Sequence, residues 1–215
     1  MGKAANSSIS LKQIHVTDNF WNKYVHLVKD VIIPYQWDIL NDKLEDVETS
    51  HCIENFKIAA GEKEGEFQGA VFQDTDVAKW LEAVGFVLNY ERDEKLEELA
   101  DETIELIGRA QQPDGYLNTY FTIKEPDGRW SNLMEGHELY TAGHMIEAAV
   151  AYYEATGKRR FLEIVSKFAD LVCQTFGSEE GKIHGYPGHQ EIELALVKLY
   201  RVTREKNIWI WQNIS

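Results

Sequence analysis

Residues 88–107 read LNYERDEKLEELADETIELI, and residues 152–172 read YYEATGKRRFLEIVSKFADLV. In both stretches an aromatic residue closes one apolar helical pattern, a short polar turn follows, and a second helical pattern begins. A third copy starts with LYRVTREK at residues 199–206. A repeat of this kind is typical of antiparallel helix pairs stacked side by side. The sequence therefore predicts an all-α fold built as an α/α solenoid or toroid.

The spacing of apolar residues predicts helices in the rest of the chain as well. The pattern predicts helices that start at Asp18, near Thr75 or Asp76, and at Asp93, with Pro34 limiting the first one. Further helices are expected at about 136–155, 158–176 and 189–204, with Gly157 and Gly177 as C-terminal caps. Residues 1–17 are interpreted as an extended lead-in, residues 41–74 as irregular, and no stretch shows a convincing strand pattern.

Charge and cysteine content narrow the class of protein. The chain carries 36 acidic and 22 basic side chains, a formal net charge of -14 that disfavours nucleic acid and anionic membranes as partners. Its start lacks the apolar run of a signal peptide, and no apolar stretch is long enough to cross a membrane. Two cysteines far apart in sequence, Cys52 and Cys173, do not indicate a disulfide framework. We expect a cytoplasmic protein.

The stretch MEGHELYTAGH, residues 134–144, places two histidines on one face of a predicted helix. His137 and His144 are seven residues apart, which separates them by about 10.5 Å along a helix axis. Zinc needs ligand nitrogens at about 2.1 Å, so a metal ion shared by this pair alone is not expected. Glu135 and Glu138 are placed to act as acid and base, but carboxylates three residues apart are also ordinary on a helix surface.

A second histidine lies in GYPGHQE, residues 185–191, where a tight loop runs into a predicted helix. In an α/α toroid the inner helices begin at one rim, so His137 and His189 are expected to lie close together. Neutral imidazole both donates and accepts hydrogen bonds, which suits sugar hydroxyls. Glu191 and Glu193 fall in the first turn of that helix, where acidic residues are common partners of the helix dipole.

Long stretches of the chain resemble glycoside hydrolase family 127, the β-L-arabinofuranosidase family that was once a domain of unknown function. The agreement covers the chain up to about Glu205. The motifs that carry it are HELYTAGHMIEAAVAYYEATGKRRFL from His137, GYPGHQEIELALVKLYRVT from Gly185, NFWNKYVHLVKDVIIPYQWDIL from Asn19, FQGAVFQDTDVAKWLEAVGFVL from Phe67 and QQPDGYLNTYF from Gln111.

The resemblance implies an (α/α)6 barrel, of which residues 18–205 form the N-terminal half, and retaining hydrolysis of terminal β-L-arabinofuranosides by a cysteine nucleophile. In the family a zinc ion held by a glutamate and cysteines lowers the pKa of that thiol. His137, His189 and, less directly, Gln36 match sugar-contacting positions, so an arabinofuranoside is the implied partner.

The family's nucleophile, zinc ligands and acid/base glutamate match no motif in this chain. We therefore expect no catalytic residue, no metal site and no cofactor in the chain itself, and zinc only in a full-length member. Cys173 lies on an apolar helical face, and Cys52 follows His51, whose side chain should point away from it.

Two other functions stay open at this point: a sugar-binding helical module without chemistry, and a toroidal sugar epimerase that uses the histidines as acid and base. Half a barrel would also leave apolar helix faces uncovered, so self-association is expected.

Residues 206–215, KNIWIWQNIS, depart from the repeat, because tryptophan and isoleucine crowd a segment that should expose polar residues. One codon reading of this tail, with a single adenine added, encodes KKYLDLAKYF, in which YLDL matches FLEI at residues 161–164. We predict that the gene carries a one-base frameshift here. Sequencing of the source DNA checks this: a coding frame for the restored repeat should follow, and a stop codon with no downstream frame would reject it.

Overall fold

The computed structural model describes residues 9–205, so the tail from Lys206 onward lies outside the described residues. Within that range the protein is all-α. The helices, in chain order, are α1 Asn19–Leu27, α2 Ile33–Leu40, α3 Cys52–Ala59, α4 Asp74–Tyr90, α5 Glu94–Ala110, α6 Thr119–Ile123, α7 Glu138–Thr156, α8 Arg160–Thr175 and α9 Glu191–Thr203. The described part contains no strand, only one isolated bridge between Phe176 and Ile183.

The helices pack in two layers. Helix α7 lies between α4 and α9. Helix α5 packs against α4, helix α8 packs against α7, and α5 and α8 contact each other. The pairs α4–α5 and α7–α8 are the two complete copies of the sequence repeat, and α9 opens the third. Large buried side chains such as Tyr152 and Phe168 pack between the layers, while Trp80 on α4 packs against Trp37 on α2.

Helix α4 approaches α7 very closely at Gly85. A Cβ atom at Gly85 would lie 2.9 Å from the carbonyl carbon of Ala151 and 2.9 Å from the backbone nitrogen of Tyr152. Only a glycine at this point allows the two helix backbones to contact each other. The close contact brings the N-terminal ends of α4 and α7 to the same side of the layer.

The predicted helix starts are partly confirmed. The carboxylate of Asp18 accepts the N–H groups of Phe20 and Trp21, and that of Asp93 accepts the N–H of Leu96, as N-caps do. Helix α4, however, begins at Asp74, before the predicted caps Thr75 and Asp76, and the buried Asp74 carboxylate accepts the backbone N–H of Thr119 at 2.7 Å.

Pro34 does not end the first helical segment, which corrects the sequence prediction. A π-helical turn, Val28–Ile32, joins α1 to α2, and Pro34 sits in the first turn of α2. The wider π turn accommodates the proline ring, which would otherwise clash with the carbonyl group four residues before it.

The prediction that residues 41–74 are irregular is also wrong, because α3 lies within them. The Asp42 carboxylate accepts the N–H groups of Ser50, at 2.7 Å, and His51, at 3.0 Å. These bonds hold His51 in a left-handed conformation (φ 57°) from which α3 begins. The helix has eight residues and buries Cys52, Ile53 and Phe56, too short a run for its periodicity to stand out.

Surface features bear on the expected partners. No helix in residues 9–205 is long and apolar enough to cross a membrane. Phe20, Trp21 and Tyr24 on α1 remain exposed. Any self-association of the kind expected from the sequence would use apolar surface such as this.

Candidate functional site

Two histidines singled out in the sequence lie side by side. The ring centroids of His137 and His189 are 4.9 Å apart, and the ring of Tyr140 lies 4.9 Å from His189 and 5.7 Å from His137. His137 is half-buried and His189 is exposed. The three rings, called here the histidine pair with Tyr140, form a surface at the N-terminal ends of α7 and α9.

The conformation of His137 fixes which ring nitrogen carries the proton. His137 precedes α7 in a left-handed conformation (φ 53°), and its Nδ1 lies 2.7 Å from the backbone carbonyl oxygen of Glu135. Because a carbonyl oxygen only accepts, Nδ1 must carry the proton and donate. In the neutral ring Nε2 is then a hydrogen-bond acceptor that this contact does not use.

Two glycines allow the histidines to meet. A Cβ atom at Gly188, next to His189, would lie 2.7 Å from the Cα atom of Met134. A Cβ atom at Gly143 on α7 would lie 2.7 Å from Cγ and 3.0 Å from the carbonyl carbon of Glu191 on α9. The loop before α9 and the start of α9 therefore both rest directly on α7 and on the segment that precedes it.

Gln36, the third predicted sugar-contacting residue, lies on a neighbouring cavity. The cavity has a volume of about 720 Å³, and Gln36 lines it together with Gln73, Asp76 and Lys79. Nζ of Lys79 lies 3.2 Å from the hydroxyl oxygen of Tyr140, which connects the cavity wall to the histidine pair. Gln36 and the histidine pair are thus linked only through Lys79 and Tyr140.

Glu138 is not available as an acid or base at this surface. Its side chain is fully buried, where it accepts the hydroxyl of Tyr116 and, at 2.7 Å, the backbone N–H of Trp130. Burial raises the pKa of its carboxyl group to about 7. Glu138 therefore holds the aromatic loop between α5 and α7, while its neighbour Glu135 is exposed.

Neither cysteine has the properties of a nucleophile. Cys52 is buried, its sulfur accepts the hydroxyl of Ser50 at 2.7 Å, and burial raises the pKa of its thiol to about 12. Burial raises the pKa of the Cys173 thiol to about 11. A reactive cysteine needs a thiolate at neutral pH, so both thiols are inert. His51 faces Asp42 and Thr49 instead of Cys52, as expected.

The described residues do not fit the zinc site that the family resemblance implies. That site needs cysteines, and in the part of the chain that is described the side chains close enough to share an ion are His144, Glu147 and Glu191. No cysteine belongs to this group, so these residues do not form the family's zinc site.

His144 does not join His137, because Tyr140 lies between them with its ring centroid 4.5 Å from that of His144. It faces Glu191 instead. Sequence reasoning missed this contact, since it joins two helices whose relative position no local pattern reveals.

Comparison with known proteins identifies the family to which this chain belongs. Residues 13–212 match the family model described as "Beta-L-arabinofuranosidase, GH127 catalytic domain". The chain is therefore part of a glycoside hydrolase catalytic domain. It belongs to glycoside hydrolase family 127.

Individual relatives agree with this assignment. The chain is 46% identical over 209 residues to the non-reducing end beta-L-arabinofuranosidase of Bifidobacterium longum subsp. longum, covering 90% of this chain and 32% of that protein. The GH127 beta-L-arabinofuranosidase from Geobacillus stearothermophilus T6 is 62% identical with a TM-score of 0.91, covering 93% of this chain and 31% of the other.

A further solved GH127 beta-arabinofuranosidase is 36% identical with a TM-score of 0.87 and covers 95% of this chain and 33% of the other. The chain thus spans about a third of the length of the relatives it matches.

We predict that Glu138→Gln destabilises the protein by about 1–3 kcal/mol at pH 5, because the buried carboxyl is protonated there and the amide NH2 that replaces its O–H brings a second hydrogen with no buried acceptor. The folded pKa of about 7 lies above the ordinary 4.5, so the proton stabilises the folded state and this contribution is lost as pH rises through 7. The free-energy difference between wild type and variant should therefore shrink by pH 8. Denaturant unfolding at both pH values measures it.

The matched control is Glu135→Gln, which alters an exposed carboxylate three residues away and should change the unfolding free energy by less than about 0.5 kcal/mol. A Glu138→Gln variant as stable as wild type at pH 5 would contradict the assigned role of the buried carboxylate.

Proposed function

We propose that this chain supplies part of the sugar-binding surface of a β-L-arabinofuranosidase barrel. In this proposal His137 and His189 hydrogen-bond the hydroxyls of a terminal arabinofuranose, and Gln36 contacts the sugar from the adjoining cavity. The observation that carries it is the histidine pair, whose rings lie 4.9 Å apart at the rim of two neighbouring helices. The acceptor Nε2 of His137, which the contact with Glu135 does not use, supports it further.

The surroundings of the pair suit a neutral, hydroxyl-rich ligand. Tyr140 adds an aromatic ring and a hydroxyl that accepts from the Lys79 ammonium, so donor and acceptor groups lie beside the imidazole rings. Furanose hydroxyls both donate and accept, and a mixed surface satisfies them better than a surface of one charge. The net charge of -14 makes an anionic ligand a poor fit.

The proposal includes binding without cleavage by the described residues. Retaining hydrolysis needs a nucleophile and an acid/base group beside the sugar. Cys52 and Cys173 have raised thiol pKa values, and Glu138 is buried against Tyr116. Hydrolysis would therefore rest on residues that complete the (α/α)6 barrel and carry the family's zinc and thiolate.

Family membership weighs against the two alternatives. A sugar epimerase would need its two histidines on opposite faces of the substrate, whereas His137 and His189 lie side by side and reach one face. A sugar-binding module without catalytic activity would use the same histidine surface as our proposal. The two differ only in whether the completed protein hydrolyses the bound sugar.

We predict that methyl β-L-arabinofuranoside perturbs the imidazole NMR signals of His137 and His189 in the full chain. His137→Ala and His189→Ala should each weaken binding about threefold to tenfold, the effect of one lost hydrogen bond. His184→Ala, in the loop before His189, is the matched control and should leave the affinity unchanged. An affinity unaffected by both variants would refute the assigned binding surface.

The same samples test the absence of cleavage. An aryl β-L-arabinofuranoside should release no aryl alcohol with the chain alone, with or without zinc. Release that disappears in a Cys52→Ser variant would overturn the view that the buried thiol is inert. Epimerised sugar without hydrolysis would favour the epimerase.

A further inference from the structure

A second group of polar side chains lies behind the histidine pair, between α7 and α9. His144 and Glu147 are three residues apart on α7, and Glu191 is in the first turn of α9. One ligand atom from each lies within 4.8 Å of the other two. The side chains of His144 and Glu191 are 13% and 17% exposed, and Glu147 is buried.

Several atoms of this group lack the partners that buried polar atoms normally have. Both ring nitrogens of His144 and the Oε1 atom of Glu191 are inaccessible to solvent and have no hydrogen-bond partner. Such atoms are uncommon in folded proteins, and each calls for an occupant that satisfies it. Here three of them belong to two side chains that face each other.

The distance between these side chains suits two ligands of one ion better than a hydrogen bond. Nδ1 of His144 lies 3.5 Å from Oε1 of Glu191, beyond the usual range of about 2.7–3.2 Å for a hydrogen bond. Two ligands at about 2.1 Å from a tetrahedral ion are about 3.4 Å apart. The atoms are therefore already at the separation that a shared metal ion would require.

The charges around the group leave room for a cation. Glu82 on α4 faces Glu147 and Glu191, so three carboxylates meet between α4, α7 and α9. Lys198 contacts the Oε1 atom of Glu147, and Lys79 lies near His144. Two ammonium groups against three carboxylates leave one negative charge uncompensated when all three are ionised.

We propose that His144, Glu147 and Glu191 bind one divalent transition-metal ion, zinc or manganese, that links α7 to α9. One imidazole nitrogen and two carboxylate oxygens are ligands that both ions accept in proteins. This departs from the sequence expectation of no metal site in the chain. The site contains no cysteine and is distinct from the glutamate–cysteine zinc implied by family resemblance.

The ion would have a structural role. It would tie the first turn of α9 to the second and third turns of α7, and Glu191 is two residues beyond His189. The competing occupant is a proton, because Glu147 and Glu191 also hydrogen-bond each other, which requires a single proton between two carboxylates. The proposal goes beyond sugar binding and does not depend on it.

The test uses the full chain, stripped with EDTA and dialysed into metal-free buffer. Calorimetric titration with ZnCl2 and MnCl2 should show one ion bound per chain, and the bound ion should raise the thermal midpoint of unfolding. His144→Gln and Glu191→Gln should each weaken binding of at least one of these ions tenfold or more. Circular dichroism of the metal-free variants verifies that they remain folded.

Two matched controls keep the test specific. Glu193→Gln changes a neighbouring carboxylate in the same turn of α9, and His184→Gln changes an exposed histidine, and both should bind the ion as wild type does. Loss of binding in these controls would mean a general charge effect and would overturn the site.

The remaining outcomes also decide the question. No stoichiometric binding of either ion would leave the proton as the occupant and overturn the proposal. Binding that survives both ligand variants, or that is lost only in His137→Gln or His189→Gln, would put the ion elsewhere and overturn it too. Sugar binding and metal binding fail independently, because the histidine-pair variants should bind the sugar more weakly and keep the ion.

Discussion

The close contact between helix backbones at two glycines is the constraint on which the rest of this structure depends. Gly85 lets α4 touch α7, and Gly143 lets the first turn of α9 touch α7 from the other side. A side chain at either point would meet backbone atoms, which cannot move away as the end of a flexible side chain can. These contacts align the N-terminal ends of α4, α7 and α9, and they bring His189 to His137.

Neighbouring residues then take opposite roles at the start of α7. The left-handed backbone of His137 turns its ring toward His189 and the surface, while Glu138 turns inward to Tyr116 and Trp130. The polar surface and the buried support of the aromatic loop thus come from one short segment. A substitution at His137 should therefore change the ligand surface, whereas a substitution at Glu138 should change the stability of the fold.

Much of the helical framework follows from local sequence rules. Apolar residues at helical spacing, the caps at Asp18 and Asp93, and Gly157 in its left-handed conformation (φ 76°) define the long helices without tertiary information. The meeting of His137 and His189 was also predictable once the repeat indicated inner helices that begin at a common rim.

Other features depend on contacts that no local pattern contains. Helix α3 starts where Asp42 binds a distant backbone segment, and the π turn before Pro34 shows no signature in the residues themselves. The burial of Glu138 and the meeting of His144 with Glu191 both require knowledge of which helices pack together. Acidic residues in such positions look like ordinary surface groups until the packing is known.

The most direct measurement is the crystal structure of a Gly143→Ala variant, together with its affinity for methyl β-L-arabinofuranoside. The added Cβ would meet backbone atoms of Glu191, so α9 should move away, the contact between His137 and His189 should open, and sugar binding should weaken. Gly108→Ala, whose Cβ would meet only the side chains of Arg160 and Ile164, is the control and should change neither property. A Gly143→Ala variant that keeps the histidine contact and wild-type affinity would contradict the account.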